Sequence, residues 1–363
     1  REQWISQGFR EEYCRDAGED NVSDYMDFCE VIGQESAKRG IEIAAGGAHN
    51  VIMVGSPGSG KSSLAKAMAG ILPPMSHEES VSTSKIYSVA GKGSMRKGLM
   101  RQRPFRAPHY SASLAAIIGG GGGDNIMPGE ISLAQNGVLF LDEFSLMPKS
   151  VIESLRAPLE ERNVTISRLR GKVKFPASFM LVAAANPCPC GYFGEGERCT
   201  CTPAQRLNHL SHLSGPILDR IDIQLRITSI PASLLVSAKK SRLQRETSAR
   251  VAERVGRARE IQKLRFKKEN IYTNAEMNSR QLNSFCPLSE ECNAMMQRII
   301  EKTGLSARAF TRIIKLARTI ADLESATDSS LWTSDGNLKQ DAVIHPIRPE
   351  HLLEAASFRF LDR

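Results

Sequence analysis

No stretch of this chain approaches 18 consecutive apolar residues, so no membrane span is expected. Cysteine is sparse, eight in 363 residues, which is too few for a secreted disulfide scaffold. Nothing near Arg1 has the charged-then-apolar order of a signal peptide, and the chain is expected to be a fragment of something longer, working in the cytoplasm. There is no internal repeat. Nor is there the composition of a disordered chain: 41% of residues are hydrophobic and 24% charged, enough apolar material for a sizeable core. At about 150 residues per domain, the length points to two domains or three.

Acid is missing from particular places. The net charge is +8, from 48 Lys and Arg against 40 Asp and Glu, and alone it only permits a polyanionic partner. Residues 1–35 are acidic, net −7. Residues 85–106 carry Lys85, Lys92, Arg96, Lys97, Arg101, Arg103 and Arg106 and no acid. Residues 162–174 carry Arg162, Arg168, Arg170, Lys172 and Lys174, again with no acid. Residues 239–268 are net +9. One such block is as readily a solvated face as a binding surface; three tilt the balance toward a polyanion.

The apolar pattern predicts an α/β region followed by a helical one. Residues 1–28 form a polar, acidic lead-in. Val51–Val54, Val138–Leu141 and Phe179–Ala185 are continuous apolar runs that read as buried strands. Strands of this kind alternating with helical segments argue for a parallel sheet covered on both faces. The boundaries are set at 29–230 for the α/β domain and 231–363 for an all-helical domain. In the latter, residues 232–268 and 288–302 read as helices, and Phe310, Ile313, Ile314, Ala317, Ile320 and Ala321 follow amphipathic helical spacing behind an N-cap at Ser306. Pro349–Phe358 is a last short helix. The five glycines from Gly119 to Gly123 are expected to form a mobile loop outside any stable element.

Gly55-Ser56-Pro57-Gly58-Ser59-Gly60-Lys61-Ser62 fits the phosphate-binding pattern G-x-x-x-x-G-K-[ST]. A strand precedes it and a helix follows, as the pattern requires. Its glycines let backbone N–H groups turn toward phosphates, and the helix dipole favours an anion there. Lys61 would reach the β- and γ-phosphates of ATP, and Ser62 would ligate Mg²⁺. Ser63 completes the nucleotide-binding stretch. The strand ending at Leu141 delivers Asp142, which would hold Mg²⁺, and Glu143, which would polarise the attacking water.

Three further polar residues stand at informative places. Asn186 ends the third strand, where it would orient water near the γ-phosphate or merely cap a turn before Pro187. Arg220, before a fourth strand, would reach a neighbouring subunit's γ-phosphate if the protein is a ring. Arg308, at the start of the amphipathic helix, would contact its own subunit's phosphates. Surface ion pairing is the competing role for both arginines.

Cys188-Pro189-Cys190 and Cys199-Thr200-Cys201 form a C-x-C-x₈-C-x-C pattern in a Gly-rich loop at 186–203. Two thiol pairs so spaced can converge tetrahedrally on Zn²⁺. An iron–sulfur cluster, free thiols or a redox pair are the alternatives. Cys14, Cys29, Cys286 and Cys292 are scattered and expected to be free.

Val31-Ile32-Gly33-Gln34, the phosphate loop, Arg103–His109, Pro128–Ala134, Gly137–Glu143, Asn186–Gly191, Ser214–Asp222 and Leu305–Arg308 together resemble the magnesium-chelatase-like AAA+ proteins of bacteria, the YifB/ComM group. The similarity runs over residues 27–360, and the Cys-Pro-Cys with Cys-x-Cys pair is its most specific part. The pattern usually has a second His where this chain has Tyr110. The resemblance implies an AAA+ P-loop domain, a helical lid, a nucleotide-dependent homo-hexamer and a Lon-like domain preceding Arg1. It implies Lys61 and Ser62 as Walker A, Asp142 and Glu143 as Walker B, Asn186 as sensor 1, Arg220 as arginine finger and Arg308 as sensor 2. Members of the ComM type act as DNA helicases in branch migration. The expected function is therefore an ATP-driven motor on single-stranded or branched DNA. The alternative is a chelatase-like or chaperone-like remodeller of a protein partner, and no membrane partner is expected.

Overall fold

The computed structural model describes residues 25–92, 98–121, 126–168, 171–211, 213, 215–231, 245–333, 338–339 and 345–361. The lead-in to residue 24 with Cys14, the basic residues Arg96, Lys97 and Arg170, the glycines Gly122 and Gly123, Ser214, and the start of the predicted 232–268 helix lie outside them.

The chain opens with helix α1 (Glu35–Gly47), strand β1 (Val51–Gly55), helix α2 (Lys61–Gly70) and helix α3 (His77–Val89). Short strands β2 (Phe105–Arg106), β3 (Gly119–Gly120) and β4 (Met127–Pro128) precede β5 (Val138–Leu141). A hairpin follows, β6 (Asn163–Arg168) with β7 (Gly171–Pro176), and then β8 (Met180–Ala185), helix α4 (Pro203–Ser211) and β9 (Ile223–Ile227). The remainder is helical: α5 (Ser248–Arg265), α6 (Glu290–Thr303), α7 (Ala307–Thr327) and α8 (Pro349–Ser357).

The main sheet has the order β2-β5-β8-β1-β9, and every pair is parallel. Its central strands are buried on both faces, which is why they read as unbroken apolar runs rather than alternating ones. The pleat still sorts their side chains. Val51, Met53, Phe140, Val182 and Leu225 join one apolar cluster, while Ile52, Val54, Leu139, Leu181 and Ala183 join the other. Each fully buried Ile or Leu in these layers contributes about 2 kcal/mol relative to exposure.

The first cluster continues without a break into the C-terminal helices, through Val251, Val255, Ile313, Ile320, Leu352 and Phe358. The AAA+ fold with its helical C-terminal region is thus built around a shared core on one sheet face. Helix α7 begins where the sequence places it, with Ser306 Oγ accepting from Ala309 N at 3.2 Å. Helix α5 occupies Ser248–Arg265 of the predicted 232–268 stretch, of which residues 232–244 lie outside the described ones.

The glycine run departs from its expected loop. Gly119 and Gly120 pair antiparallel with Pro128 and Met127. A Cβ on Gly119 would stand 2.6 Å from Met127 O, and φ there is +109°, so only glycine allows this backbone approach.

Candidate functional site

The parallel sheet brings the phosphate loop, Asp142 and Asn186 to one edge. β8 lies between β1 and β5, so Asn186 emerges between the loop after β1 and the acidic pair after β5. Lys61 Nζ, largely buried, donates to Gly55 O at 2.7 Å, Ser56 O at 2.8 Å and Asn186 Oδ1 at 3.2 Å. Ser62 Oγ donates to Asp142 Oδ2 at 2.9 Å, and Glu143 N donates to Asp142 Oδ1 at 2.8 Å. Burial pulls the Lys61 ammonium below its ordinary value, with Asp142 and Glu143 opposing. Gly58 and Gly60 adopt φ of +75° and +94°, which turns the loop back before α2. A Cβ on Gly55 would meet Ile227 O at 2.2 Å, so close strand pairing fixes the residue that opens the loop.

The arrangement suits a polyphosphate with a hard cation. An ammonium and a helix N-terminus lie at the loop, and a hydroxyl and a carboxylate share an edge that would offer Mg²⁺ oxygen ligands. Gly55 through Ser63 and Asp142 therefore lie together as their spacing predicts. Glu143, at φ +48°, begins the turn after β5 and is half-buried beside them.

Three residues that the sequence argument had not singled out for the site touch it. Gln34 Nε2 donates to Ser59 O at 3.4 Å and to Thr228 O at 2.6 Å, bridging the loop to the end of β9. His209 Nε2 lies 3.1 Å from Asn186 O. Glu195, from the cysteine loop, accepts from the Ser56 hydroxyl, and that bond holds its carboxyl below the usual range. Only Gln34 had a signal, inside the Val31–Gln34 motif; the other two contacts join distant segments.

The four cysteines converge. Their sulfurs all lie within 4.8 Å of one another. Sγ of Cys188 is 3.4 Å from that of Cys190 and 3.8 Å from that of Cys199, and the Cys190–Cys199 pair is 3.7 Å apart. Zn–S bonds of about 2.3 Å in a tetrahedron require sulfurs about 3.8 Å apart, so the cluster fits zinc. The Cys190 thiol is drawn down to about 6, first by the Tyr192 backbone. Cys29, Cys286 and Cys292 are buried and in no disulfide among the described residues.

The arginines stand elsewhere. Arg220 precedes β9 at the N-terminal edge of the sheet, opposite the phosphate loop. Its guanidinium reaches Glu160 Oε1 at 2.7 Å, Arg156 O at 3.1 Å and Pro216 O at 2.6 Å. Arg308 lies at the same edge, with Nη1 3.4 Å from Asp219 Oδ2, one residue from Arg220. Arg308 is thus placed beside Asp219 rather than beside the phosphate loop. Helix α7 is anchored through Arg312 to Asp222 and to Asp219 O, and this sets Arg308 at the N-terminal edge of the sheet.

The basic blocks also divide. Arg103 forms a two-pronged pair with Glu79, both bonds at 2.9 Å, and Arg106 pairs with Glu130 at 2.6 and 2.8 Å. Arg162 meets Glu276 at 3.0 Å. In the 239–268 block, Arg254 holds Glu42 and Glu246, Arg257 holds Glu253, and Arg265 holds Asp322. These charges are paired within the chain, some of them at the surface, as Arg257 with Glu253. Lys85, Lys92, Arg250, Lys263, Lys267 and Lys268 of the same blocks are exposed. Lys172 and Lys174 are exposed together on one face of the β6–β7 hairpin, opposite Ser167 and Thr165, while Val164, Ile166 and Phe175 turn inward.

Residues 27–235 match the family model "Magnesium chelatase, subunit ChlI", and residues 245–331 match "Magnesium chelatase, subunit ChlI C-terminal". The chain is 43% identical over 337 residues to YifB, an uncharacterized protein of Escherichia coli, covering 93% of this chain and 61% of that protein. It is 42% identical over 338 residues to competence protein ComM of Haemophilus influenzae, with the same coverage of 93% and 61%. A more distant match, 28% over 174 residues, is to the maternal DNA replication licensing factor mcm6 of Xenopus tropicalis, covering 48% of this chain and 17% of that protein. The chain spans about three fifths of the length of the first two relatives. Among the described residues, no helix is long and apolar enough to cross a membrane.

Proposed function

This chain belongs to the magnesium chelatase subunit ChlI family, in its YifB/ComM-type group, and we propose that it is an ATP-hydrolysing AAA+ ring motor that acts on DNA. The observation that carries the ATPase is the meeting of Lys61, Ser62, Asp142 and Asn186 at one sheet edge. Lys61 leaves its main-chain acceptors to bind the β- and γ-phosphates. Ser62 and Asp142 hold Mg²⁺, which when bound neutralises phosphate charge. Glu143 orients and polarises the attacking water, and Asn186 fixes that water's position. Cys188, Cys190, Cys199 and Cys201 hold a structural zinc.

Arg220 and Arg308 support a ring. Both stand at the edge opposite their own phosphate loop, so a guanidinium from here serves the γ-phosphate of an adjacent subunit. Six subunits, as in the resemblance, would give each site both arginines from a neighbour. Arg308 is 61% exposed and held only at 3.4 Å, so it is available for that contact; Arg220 must first leave Glu160.

The DNA half rests on the exposed Lys172–Lys174 face of a hairpin inserted between the Walker B strand and β8, and on the names of two relatives, a competence protein and a DNA replication licensing factor. A basic hairpin grips phosphates with strong salt dependence and little sequence preference. The test is ATP turnover at low salt with and without single-stranded or branched DNA. Stimulation supports the motor; turnover indifferent to DNA but raised by a protein partner transfers the function to remodelling of that partner.

A further inference from the structure

The cysteine loop touches the phosphate loop at three points, and none is required merely to hold a metal. Gly191, at φ +85°, lies so close to Pro57 that an added Cβ would stand 2.6 Å from its Cδ. Glu195 accepts a hydrogen bond from the Ser56 hydroxyl. Asn186, whose side chain meets Lys61 at 3.2 Å, lies two residues before Cys188. Ser56 is the shared element: its hydroxyl faces Glu195, while its carbonyl accepts from Lys61 Nζ at 2.8 Å and from Ser59 Oγ at 2.7 Å.

The cysteine loop has almost no core to order it. From Pro189 to Thr202 only Gly191 is buried, and the local order is one 3-10 turn (Gly196–Arg198), the turn bonds Gly191 N to Cys188 O and Glu195 N to Tyr192 O, and two arginine stacks on Tyr192 and Phe193. Such a segment is held in place chiefly by whatever joins its four sulfurs. The structure assigns Glu195 as a positioning residue for the nucleotide site, through which zinc held by the four cysteines keeps the phosphate loop in its binding shape. This rests on the nucleotide-binding reading above. Because linkage is reciprocal, a nucleotide that favours the ordered loop also retains the metal.

The contact needs an acceptor, not a charge. Glutamine at position 195 still offers a carbonyl oxygen to Ser56; alanine does not. A hydrogen bond of about 1 kcal/mol lost from the loop corresponds to about fivefold in affinity.

The experiment measures binding of fluorescently labelled ATP, the KM and kcat for ATP, and zinc release to a chromogenic chelator, on the whole chain. Glu195→Ala should weaken binding about fivefold and raise KM with kcat little changed. Glu195→Gln should restore both. Ser56→Ala combined with Glu195→Ala should cost no more than either alone. Bound nucleotide should slow zinc release from the wild type several-fold, and this effect should shrink in Glu195→Ala. Wild-type nucleotide affinity in Glu195→Ala overturns the positioning role, and so does a glutamine variant as impaired as alanine. Zinc release that ignores nucleotide overturns the link to the metal. Absence of nucleotide binding by the wild type instead overturns the function on which this rests.

Discussion

Ser62 Oγ donates to Asp142 Oδ2 at 2.9 Å, joining the helix after the phosphate loop to the tip of a strand two positions away in the sheet. Eighty residues separate the partners, and only parallel pairing through β8 brings them together. Glu143, next along the chain, is near enough for its charge to act on Lys61. Glu143→Gln should keep ATP binding and lower hydrolysis about a hundredfold or more, since it removes the base without disturbing the cation ligands. Single-turnover phosphate release checks it, and undiminished hydrolysis would remove Glu143 from the reaction.

Arg220 serves a partner if its position at the opposite edge has catalytic meaning. Arg220→Ala should therefore lower steady-state ATP turnover about a thousandfold. Mixed with Lys61→Ala protein, it should recover activity, because a mixed interface pairs an intact phosphate loop with an intact arginine. A mixture no more active than its parts would refute an arginine acting between subunits.

The hairpin carries a charge reading that the sequence total obscured. Lys172→Ala with Lys174→Ala should weaken DNA binding and reduce the slope of log affinity against log salt by about 1.5, the value for two phosphate contacts. Fluorescence anisotropy across a salt series reads both. An unchanged slope would mean that DNA, if bound, is held elsewhere.

The N-terminal sheet edge predicts a pH response. Asp222 is buried, accepts from Asn50 N at 3.0 Å, and faces Arg312, His49 and Lys315. Burial pushes its carboxyl up, but Arg312 and then His49 outweigh that and hold it far below the usual carboxylate range. A depressed carboxyl contributes stability above its unfolded value of about 3.9 and loses it as pH falls. Burial lowers the His49 value, so the unfolded chain takes up the proton first and stability also declines below about pH 6.5. Tm should fall gently from pH 7 to pH 4 through His49 and steeply below pH 4, where the Asp222 contribution is lost. Asp222→Asn should cost about 3 kcal/mol at pH 7, leaving Arg312 without its carboxylate, and should flatten the acid limb. A parallel Tm profile in the variant would assign the acid sensitivity to other groups.

Some of this was legible because its cause is local. The phosphate loop needs glycines at two left-handed positions and a lysine at fixed spacing, and nine consecutive letters contain them. Helix α7 was readable from its 3.6-residue apolar period and its Ser306 cap, and the buried strands from runs with no polar residue to face water. Gly119 and Gly120 misled because the same freedom that suits a loop also permits close strand pairing. The block at 239–268 was only partly legible, because a helix face of arginines reads alike whether it meets water, as at Arg250, Lys267 and Lys268, or Glu42, Glu246 and Asp322.

The sequence by itself determined that a phosphate loop, an acid-tipped strand and a thiol cluster exist in one α/β chain with a helical end, since each is set by neighbours a few residues apart. Tertiary structure alone decided which of these touch. It put Glu195 on Ser56 across 139 residues, drew Arg103 and Arg106 into pairs with Glu79 and Glu130, and set Arg308 beside Asp219. Such contacts follow from strand order and from the shared apolar core beneath α7, and those depend on the whole chain burying its surface at once.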